Sequence, residues 1–297
     1  MKILIAGGDG FIGSELAPYL QKQGCTVDLL VRSEQNSNDY INEIIIWDGI
    51  KINIKKNYDA IINLCGKNIT DKRWSKKNKS DLVSSRINPT KAIVSYIKDI
   101  KSKPILINAS AIGYYTNTDN IQTESAKNND IQSFTHKLVN QWEQEANRAQ
   151  THNAQVCCLR FGIVLGKSGG MIKKVRPLFK LGLGSVMGYP NYHMSWIHIN
   201  DLCRAILFII KSDHKKNIYN FTSPSPCTQK EFAQAMAASC RRPLLFSVPA
   251  FLIKCIFGEM GEALLLANQK IYPEALTQSG FEFKFTDIES ALRNIND

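Results

Sequence analysis

The sequence predicts an α/β fold, with a doubly wound parallel sheet followed by a smaller, mostly helical C-terminal part. Short β-rich runs alternate with helical patterns through the first 165 residues, and this alternation is typical of parallel sheets with right-handed crossovers. The β-rich runs are almost continuously apolar, as expected for strands covered on both faces. After residue 165 the alternation ends and glycines become frequent, which predicts a loop-rich region.

The predicted elements follow one another from the N-terminus. Apolar residues at helical spacing place the first helix between the first two strands: Phe11, Ile12, Leu16 and Leu20. The predicted strands are 2–6, 26–31, 43–47, 60–64, 104–109, 154–161 and 218–221. The predicted helices are 11–23, 81–100, 133–149, 201–210, 229–238 and 259–267.

The composition is that of an ordinary globular protein, with 44% hydrophobic residues in a chain of 297. The apolar start runs directly into Gly7 without the cleavage site of a signal peptide. The apolar stretches 202–210 and 244–257 are shorter than the roughly 20 residues that span a bilayer. We therefore expect a soluble protein with no membrane partner.

The cysteines, histidines and charges argue against metal-binding and nucleic-acid-binding classes of protein. The eight cysteines and five histidines are dispersed without CxxC spacing, which predicts no metal site, and reduced core cysteines predict a cytoplasmic protein. The net charge of +11 is concentrated in the lysine-rich segments 67–79 and 173–180. Because no RNA- or DNA-binding signature accompanies them, we expect no nucleic-acid partner and interpret these lysines as a solvated face, part of which could serve an anionic ligand.

Glycines stand at the turn between the first predicted strand and the first predicted helix. Their spacing suits a chain that turns sharply, lets a pyrophosphate approach the backbone and packs its helix closely on the strand. The helix N-terminus supplies free N–H groups and a partial positive charge for phosphates. The sequence therefore predicts a Rossmann-type dinucleotide site, and its residues in this loop are Gly7, Asp9, Gly10, Phe11, Ile12 and Gly13.

The end of the second predicted strand distinguishes between two dinucleotides. An acidic residue there binds the ribose hydroxyls of NAD, whereas an arginine favours the 2′-phosphate of NADP. Here the strand ends with Val31, Arg32 and Ser33, so we predict NADP(H) as the cofactor. Glu34 leaves NAD(H) as the alternative. Residues 1–165 are predicted to form the dinucleotide-binding domain with 197–222 returning to it, and 166–196 with 223–297 to form the substrate-binding part.

The chain resembles the extended short-chain dehydrogenase/reductase superfamily, and more narrowly its atypical epimerase-family branch, often labelled NAD-dependent epimerase/dehydratase and sometimes cell-division inhibitor. The matching segments run in order over essentially the whole chain. They are 7–13 (GGDGFIG), 63–66 (NLCG), 73–74 (RW), 85–86 (SR), 110–115 (SAIGYY), 142–143 (WE), 160–166 (RFGIVLG), 195–201 (SWIHIND) and Phe281.

The resemblance implies further cofactor contacts. Leu64 and Cys65, followed by Gly66, are expected on the adenosine side of the cofactor. Arg86, on the next helix, is expected to face the cofactor, and Asp81 is either its partner or another cofactor contact. An ion pair on the helix surface is the alternative for both residues.

The resemblance also implies a catalytic Ser, Tyr and Lys, the last two spaced YxxxK. Ser110 matches the serine, but counting back from Glu143 puts Thr135 at the tyrosine position and Val139 at the lysine position. Neither residue can do this acid–base chemistry. Tyr114 is the predicted proton donor, with a packed aromatic as the alternative interpretation. His198 is interpreted as a core histidine.

Two functions follow from these features. The first is an NADP(H)-dependent oxidoreductase or epimerase that acts on a small carbonyl or nucleotide-linked substrate. The second is an NADP(H)-sensing or regulatory binding protein that kept the fold and lost the catalytic pair. Members of the superfamily often dimerise through two helices. The helices 81–100 and 133–149 carry many polar residues, so monomer and homodimer both remain open.

Overall fold

The structure, a computed structural model, describes residues 1–33, 41–127 and 132–296. Glu34, the residue that could instead serve NAD(H), lies outside the described residues. The strands in chain order are β1 (Lys2–Ala6), β2 (Thr26–Val31), β3 (Glu43–Ile46), β4 (Ala60–Asn63), β5 (Ile105–Ala111), β6 (Thr118–Gln122), β7 (Gln155–Phe161), β8 (Ile163–Leu165), β9 (Ser185–Met187), β10 (His193–Met194), β11 (Trp196–His198), β12 (Ile218–Phe221), β13 (Cys227–Thr228), β14 (Phe246–Val248) and β15 (Gln269–Ile271).

The helices in chain order are α1 (Phe11–Lys22), α2 (Lys76–Asp99), α3 (Phe134–Asn147), α4 (Gly170–Lys180), α5 (Ile199–Lys211), α6 (Gln229–Ser239), α7 (Ala250–Phe257), α8 (Glu274–Gln278) and α9 (Ile288–Asn296). Within the described ranges, none of them is long and apolar enough to cross a bilayer. Two short 3₁₀ turns (Ile112–Tyr114 and Arg148–His152) and one π-helical turn (Gly261–Leu265) complete the helical structure of the described chain.

Seven parallel strands form the main sheet in the order β12-β7-β5-β4-β1-β2-β3. Helices cover both of its faces. One buried cluster joins Ile5 of β1 to Leu16 of α1 and Leu202 of α5, and another joins Leu4 of β1 to Ile93 of α2. The doubly wound, Rossmann-like α/β fold that the alternating pattern predicts is confirmed, and it aligns the carboxyl ends of β1, β2, β4 and β5 along one edge.

The C-terminal part has an apolar cluster of its own. It joins residues from α4, β11, α6 and α9: Phe179, Trp196, Phe232 and Leu292. Around it lie short two-stranded pairs, including β8 with β11 and β9 with β14. The strand β12 returns to the edge of the main sheet beside β7.

Two predicted helices differ from the observed ones. The helix predicted to start at residue 81 begins at Lys76, because the Ser75 hydroxyl accepts a hydrogen bond from the Asn78 N–H and caps a first turn that has no apolar periodicity. The helix predicted at 259–267 is present over residues 259–265, ends two residues early and is π-helical at Gly261–Leu265; it follows α7 after Gly258. The backbone at Gly258 has φ +57°, outside the helical region, and this separates the two segments.

Candidate functional site

The turn between β1 and α1 has the close packing that its glycines predict. Gly7 has φ +75°, and a Cβ there would lie 3.0 Å from the backbone carbon of Leu64. A Cβ on Gly13 would lie 2.5 Å from the backbone of Gly8, so only glycine lets the helix approach the strand this closely. Gly10 is different, because a Cβ there would meet only the Gly7 carbonyl oxygen, at 3.4 Å. Gly10 is therefore the glycine of the three that borders open space.

The N-terminus of α1 has no side-chain cap. Gly10 is the N-cap residue and has extended backbone angles, and no side chain there accepts hydrogen bonds from the first turn. The first turn also contains no acidic residue. Its N–H groups and the positive end of the helix dipole thus face the edge of the sheet, which is the arrangement that binds phosphate groups.

A cleft of about 380 Å³ opens at this edge of the sheet. Of the residues that the sequence predicts for cofactor binding, those lining it are Gly7, Asp9, Gly10, Val31, Arg32, Leu64, Cys65, Gly66 and Asp81. Sequence analysis missed the segment after β3, which contributes Trp47 and Asp48, and residues of α2 such as Ser84. The contribution of Trp47 and Asp48 could have been predicted, because the strand beside β2 ends at the same edge of the sheet.

Five predicted residues do not line the cleft: Phe11, Ile12, Gly13, Ser33 and Arg86. The Phe11 ring packs under the loop that precedes α4, since Cβ atoms built on Gly166, Gly169 and Gly170 would lie 2.4–3.0 Å from it. Ile12 packs against the apolar cluster on one face of the sheet. The backbone of Gly8 fills the space where a side chain on Gly13 would lie. Ser33 is exposed just beyond the end of β2. Their assignment as cofactor contacts stays a prediction.

Arg86 lies behind the cleft and supports the loop that follows β4. Its Nη2 donates to the Lys67 carbonyl oxygen over 3.0 Å, and its guanidinium lies 5.3 Å from the Trp142 ring centre. Burial lowers the pKa of Arg86 to about 10. Asp81 is not the partner of Arg86: it forms an ion pair with Lys67 over 2.9 Å. Arg86 and Asp81, both on α2, therefore hold the 64–67 loop through their contacts with Lys67.

Arg32 remains available at the mouth of the cleft. It is exposed at the end of β2, and within the described ranges no hydrogen bond or ion pair engages its guanidinium. Asp9 and Arg32 both act on the neighbouring Cys65 thiol, whose pKa is raised to about 12, chiefly by burial. An unpaired guanidinium beside a helix N-terminus is suited to binding a phosphate group.

Ser110 lies at the end of β5 in a buried polar network. Its hydroxyl donates to Glu143 Oε1 over 2.5 Å, and the same carboxylate accepts two hydrogen bonds of 2.8 Å from Arg160 Nε and Nη2. Arg160 Nη1 donates to the Tyr115 hydroxyl, which in turn donates to Asn220 Oδ1. The network joins β5, α3, β7 and β12, and Ser110 is only 2% exposed.

Tyr114 lies directly over this network. Its ring centre is 3.5 Å from the Arg160 guanidinium carbon and 4.9 Å from the His136 ring. The phenol of the neighbouring Tyr115 has its pKa raised to about 12, mainly by burial. Tyr115 is buried, whereas Tyr114 is partly exposed. Of these two phenols, Tyr114 is the one that a ligand can reach.

Thr135 and Val139, the residues at the positions expected for YxxxK, both lie on α3. A Cβ on Gly113 would lie 3.1 Å from the Thr135 Cβ, so Thr135 stands against the turn that carries Tyr114. Val139 is 2% exposed, so a lysine ammonium in its place would be removed from water. On the same helix, His136 is buried and its Nδ1 is hydrogen-bonded to the Tyr114 carbonyl oxygen. Lys137 is exposed, and its ammonium donates a hydrogen bond to the Gln132 side-chain oxygen.

His198 is a core histidine. Its ring stacks on Phe285 with centres 3.9 Å apart, and its Nδ1 accepts a hydrogen bond from the Asn200 N–H at the start of α5. Burial lowers its pKa to about 4. Within the described ranges no group of three or more His, Cys, Asp or Glu side chains could hold a metal ion.

Comparison with known proteins identifies the family. A family model described as the NAD dependent epimerase/dehydratase family matches residues 3–221, well over half of the chain. The chain belongs to the NAD-dependent epimerase/dehydratase family. A second model, described only as a domain of unknown function (DUF1731), matches residues 248–295 of this epimerase-family chain.

Relatives of the epimerase-family chain extend over its whole length. It is 35% identical to an epimerase family protein of Mycobacterium bovis over 98% of this chain and 96% of that protein. It is 33% identical to an epimerase family protein of Staphylococcus aureus over 98% of both chains. Among solved structures, human epimerase family protein SDR39U1 with NADPH matches with a TM-score of 0.89 and 27% identity, covering 100% of this chain and 99% of that one.

Proposed function

We propose that this protein is an NADP(H)-dependent oxidoreductase or epimerase that acts on a small carbonyl or nucleotide-linked substrate. The observation that carries the proposal is the cleft at the sheet edge, where the uncapped N-terminus of α1, the unpaired guanidinium of Arg32 and the end of β4 border one space. A dinucleotide presents one pyrophosphate and one ribose to these groups. NADP(H), when bound, supplies or accepts a hydride.

The choice of NADP(H) over NAD(H) rests on Arg32. A planar guanidinium can bind a phosphate through two N–H groups, and only NADP carries a phosphate on the adenosine ribose. The described residues at the end of β2 offer no carboxylate in this place. The solved relative SDR39U1, which contains NADPH, supports the same choice.

The proposed catalytic residues are Ser110 and Tyr114. Both lie at the carboxyl end of β5, the strand next to β4, and therefore at the same edge of the sheet as the cleft. Tyr114 would donate or accept the proton that accompanies hydride transfer, and Ser110 would hydrogen-bond the substrate oxygen. For this the Ser110 hydroxyl must rotate its O–H from Glu143 to the substrate, while Arg160 continues to hold the carboxylate.

One observation favours a second candidate, an NADP(H)-binding protein without turnover. The Ser110 O–H is already donated to a carboxylate that Arg160 holds in place. Val139 provides no lysine to lower the pKa of a phenol. These features suit a protein that binds the cofactor and responds to it without transferring a hydride.

Calorimetry and a substrate panel test the proposal. We expect NADPH to bind more tightly than NADH. An oxidoreductase should consume NADPH absorbance when a carbonyl substrate is added, whereas an epimerase, which regenerates its cofactor, should form the epimeric nucleotide sugar with no net change in absorbance. Tight NADPH binding with no turnover across the panel would favour the second candidate. Absence of binding by either dinucleotide would contradict both.

A further inference from the structure

The C-terminal part exposes a group of large apolar side chains to solvent. They come from the end of α4, from β14 and the residue before it, and from α7. We call them the apolar surface: Leu181, Leu183, Leu245, Phe246, Phe251 and Ile256. Each is at least half exposed, and Leu181 and Leu245 are more than 70% exposed. Single exposed apolar residues are ordinary, but a group of this size marks an interaction site.

A hydrogen bond, a strand pair and a short connection bring the three segments together. Arg242 Nε donates to the carbonyl oxygen of Lys180, which joins the segment before β14 to the end of α4. The register of β9 and β14 places Phe246 beside Ser185, two residues after Leu183. The next helix, α7, starts two residues after β14 ends. The three segments thus lie next to one another in the C-terminal part of the protein.

Helix α7 presents its apolar side outward. Ile253 is 1% exposed and packs inward, where a Cβ on Gly261 would lie 3.1 Å from it. By contrast Phe251 is 63% exposed and Ile256 is 61% exposed. The helix therefore buries a single large side chain fully and leaves most of its apolar surface unpartnered, which is the reverse of the usual arrangement for a surface helix.

Lysines and arginines outnumber carboxylates around the apolar surface. Segment 166–200 contains five lysines and arginines, and segment 232–258 contains three, with no aspartate or glutamate in either. Lys174 and Lys254 are paired with Asp71 and Glu262 from neighbouring segments. Among the described residues, Lys180 and the pair Arg241–Arg242 have no carboxylate within 4.0 Å. The apolar side chains are thus bordered by unneutralised cations.

We propose that this face binds the surface of an anionic lipid bilayer. Apolar side chains that insert at the level of the headgroups, bordered by lysine and arginine that contact anionic headgroups, are the features of a helix that lies in the interface. The sequence-based expectation of no membrane partner rests on the length needed to span a bilayer. Adsorption to the surface needs only an exposed apolar face with matching charge.

Charge and shape both argue against other occupants. A second copy of the chain would bring cations of like sign together around the contact, and like charges across an interface oppose association. A protein partner anchors its binding in well-packed pockets, whereas side chains that are half exposed or more stand out from the surface. A bilayer accepts protruding side chains without a complementary pocket.

Vesicle sedimentation with the full chain tests the proposal. One set of vesicles contains phosphatidylcholine alone, and the other contains equal parts of phosphatidylcholine and phosphatidylglycerol. We expect the protein to sediment with the anionic vesicles at low salt and to be released near 1 M salt, where the Debye length falls to about 3 Å. Failure to bind the anionic vesicles at low salt would overturn the proposal, as would equal binding to both sets.

Paired variants locate the contact. Phe251→Ser combined with Ile256→Ser should weaken partitioning by at least ~10-fold, because two large apolar side chains no longer enter the bilayer. Ile121→Ser, on β6, removes an equally exposed apolar residue outside this surface and should bind as the wild type does. Likewise Lys180→Glu with Arg241→Glu should weaken binding, and Lys91→Glu on α2 should not. Thermal unfolding confirms that each variant is folded.

Light scattering without vesicles tests whether a second copy of the chain binds the apolar surface instead. We expect the wild-type protein and the variant with Phe251→Ser and Ile256→Ser to have the same oligomeric state. A wild-type dimer that these substitutions dissociate would make the apolar surface a contact between copies and would overturn the proposal. The result is independent of NADPH binding and of turnover, so it does not depend on the proposed function.

Discussion

Ser110 and Glu143 share a hydrogen bond of 2.5 Å between the serine hydroxyl and Oε1 of the carboxylate, in a region where both residues are buried. Arg160 holds the same carboxylate with two hydrogen bonds, from Nε to Oε1 and from Nη2 to Oε2. Hydrogen bonds to charged groups contribute about 1.5–3 kcal/mol each. The residue proposed to bind the substrate oxygen is therefore also a member of the structural network that joins α3 to the sheet.

Replacing Ser110 tests its proposed catalytic role. In Ser110→Ala we expect turnover to fall by roughly 10²–10⁴-fold, the range for a lost positioned donor. NADPH affinity should stay nearly unchanged, because the glycine turn and Arg32 are intact. Tyr114→Phe should also lower turnover, and by more than Tyr115→Phe, whose hydroxyl is buried. Steady-state kinetics on an identified substrate check this, and wild-type turnover by Ser110→Ala would mean that these residues are not the catalytic ones.

Glu143→Gln should lower the free energy of unfolding by about 3–5 kcal/mol, because it leaves the Arg160 guanidinium buried without its counter-charge. Urea unfolding measures the loss. Glu289→Gln is the matched control, since the Glu289–Arg293 pair is exposed on α9 and exposed ion pairs contribute about 0–1 kcal/mol. Equal losses in the two variants would show that the buried pair has no special role in stability.

Two glycine substitutions should separate binding from folding. Gly10→Val places a side chain in the open space by the helix N-terminus, so NADPH affinity should fall at least ~10-fold, about 1.4 kcal/mol, with the fold retained. Gly13→Ala places a methyl group 2.5 Å from the Gly8 backbone, so it should cost about 1–3 kcal/mol of stability. Calorimetry and thermal unfolding measure the two effects. Unchanged NADPH binding by Gly10→Val would move the phosphate site elsewhere.

Arg32→Ala should weaken NADPH by about 1.5–3 kcal/mol, because the ribose phosphate loses a charge-assisted partner. NADH affinity should change much less, since NADH has no phosphate at that position. Isothermal titration with both dinucleotides gives the comparison, and Arg293→Ala on α9 is a control for general loss of positive charge. Equal weakening of both dinucleotides would show that Arg32 does not select between them.

Acid should destabilise the protein in part through His198. Its folded-state pKa of about 4 lies below the ordinary value of 6.5, so the unfolded chain takes up a proton that the folded protein excludes. This contribution to stability is complete above pH ~6.5 and is lost as the pH falls toward ~4. The loss relative to neutral pH is about 2 kcal/mol at pH ~5. His198→Asn keeps a helix cap but does not titrate. Urea unfolding at neutral and acid pH should show a smaller acid loss for the variant, and identical losses would contradict the assignment.

Local chemistry made much of the cleft at the sheet edge predictable. The turn at Gly7 and Gly13 is a matter of backbone geometry within one strand–helix unit, and the predicted parallel sheet aligns the strand ends that carry Arg32 and Leu64. The network around Glu143 was not predictable in this way. Arg160 lies in an otherwise apolar strand, and what makes its burial favourable is a carboxylate from a helix that lies earlier in the chain. The pairing of Asp81 with Lys67 likewise depends on how the loop after β4 folds back on α2.

The contact between Phe11 and the loop before α4 restricts how the sequence can change. Side chains at positions 166, 169 and 170 would overlap the aromatic ring, at distances down to 2.4 Å for position 169. An ordinary side chain can therefore occupy position 166 or 169 only if residue 11 becomes smaller, whereas position 170 has φ +63° and favours glycine whatever residue 11 is. Positions 11, 166 and 169 are expected to vary together among related chains, so a substitution in the first helix of the molecule and one more than 150 residues later form a single evolutionary step.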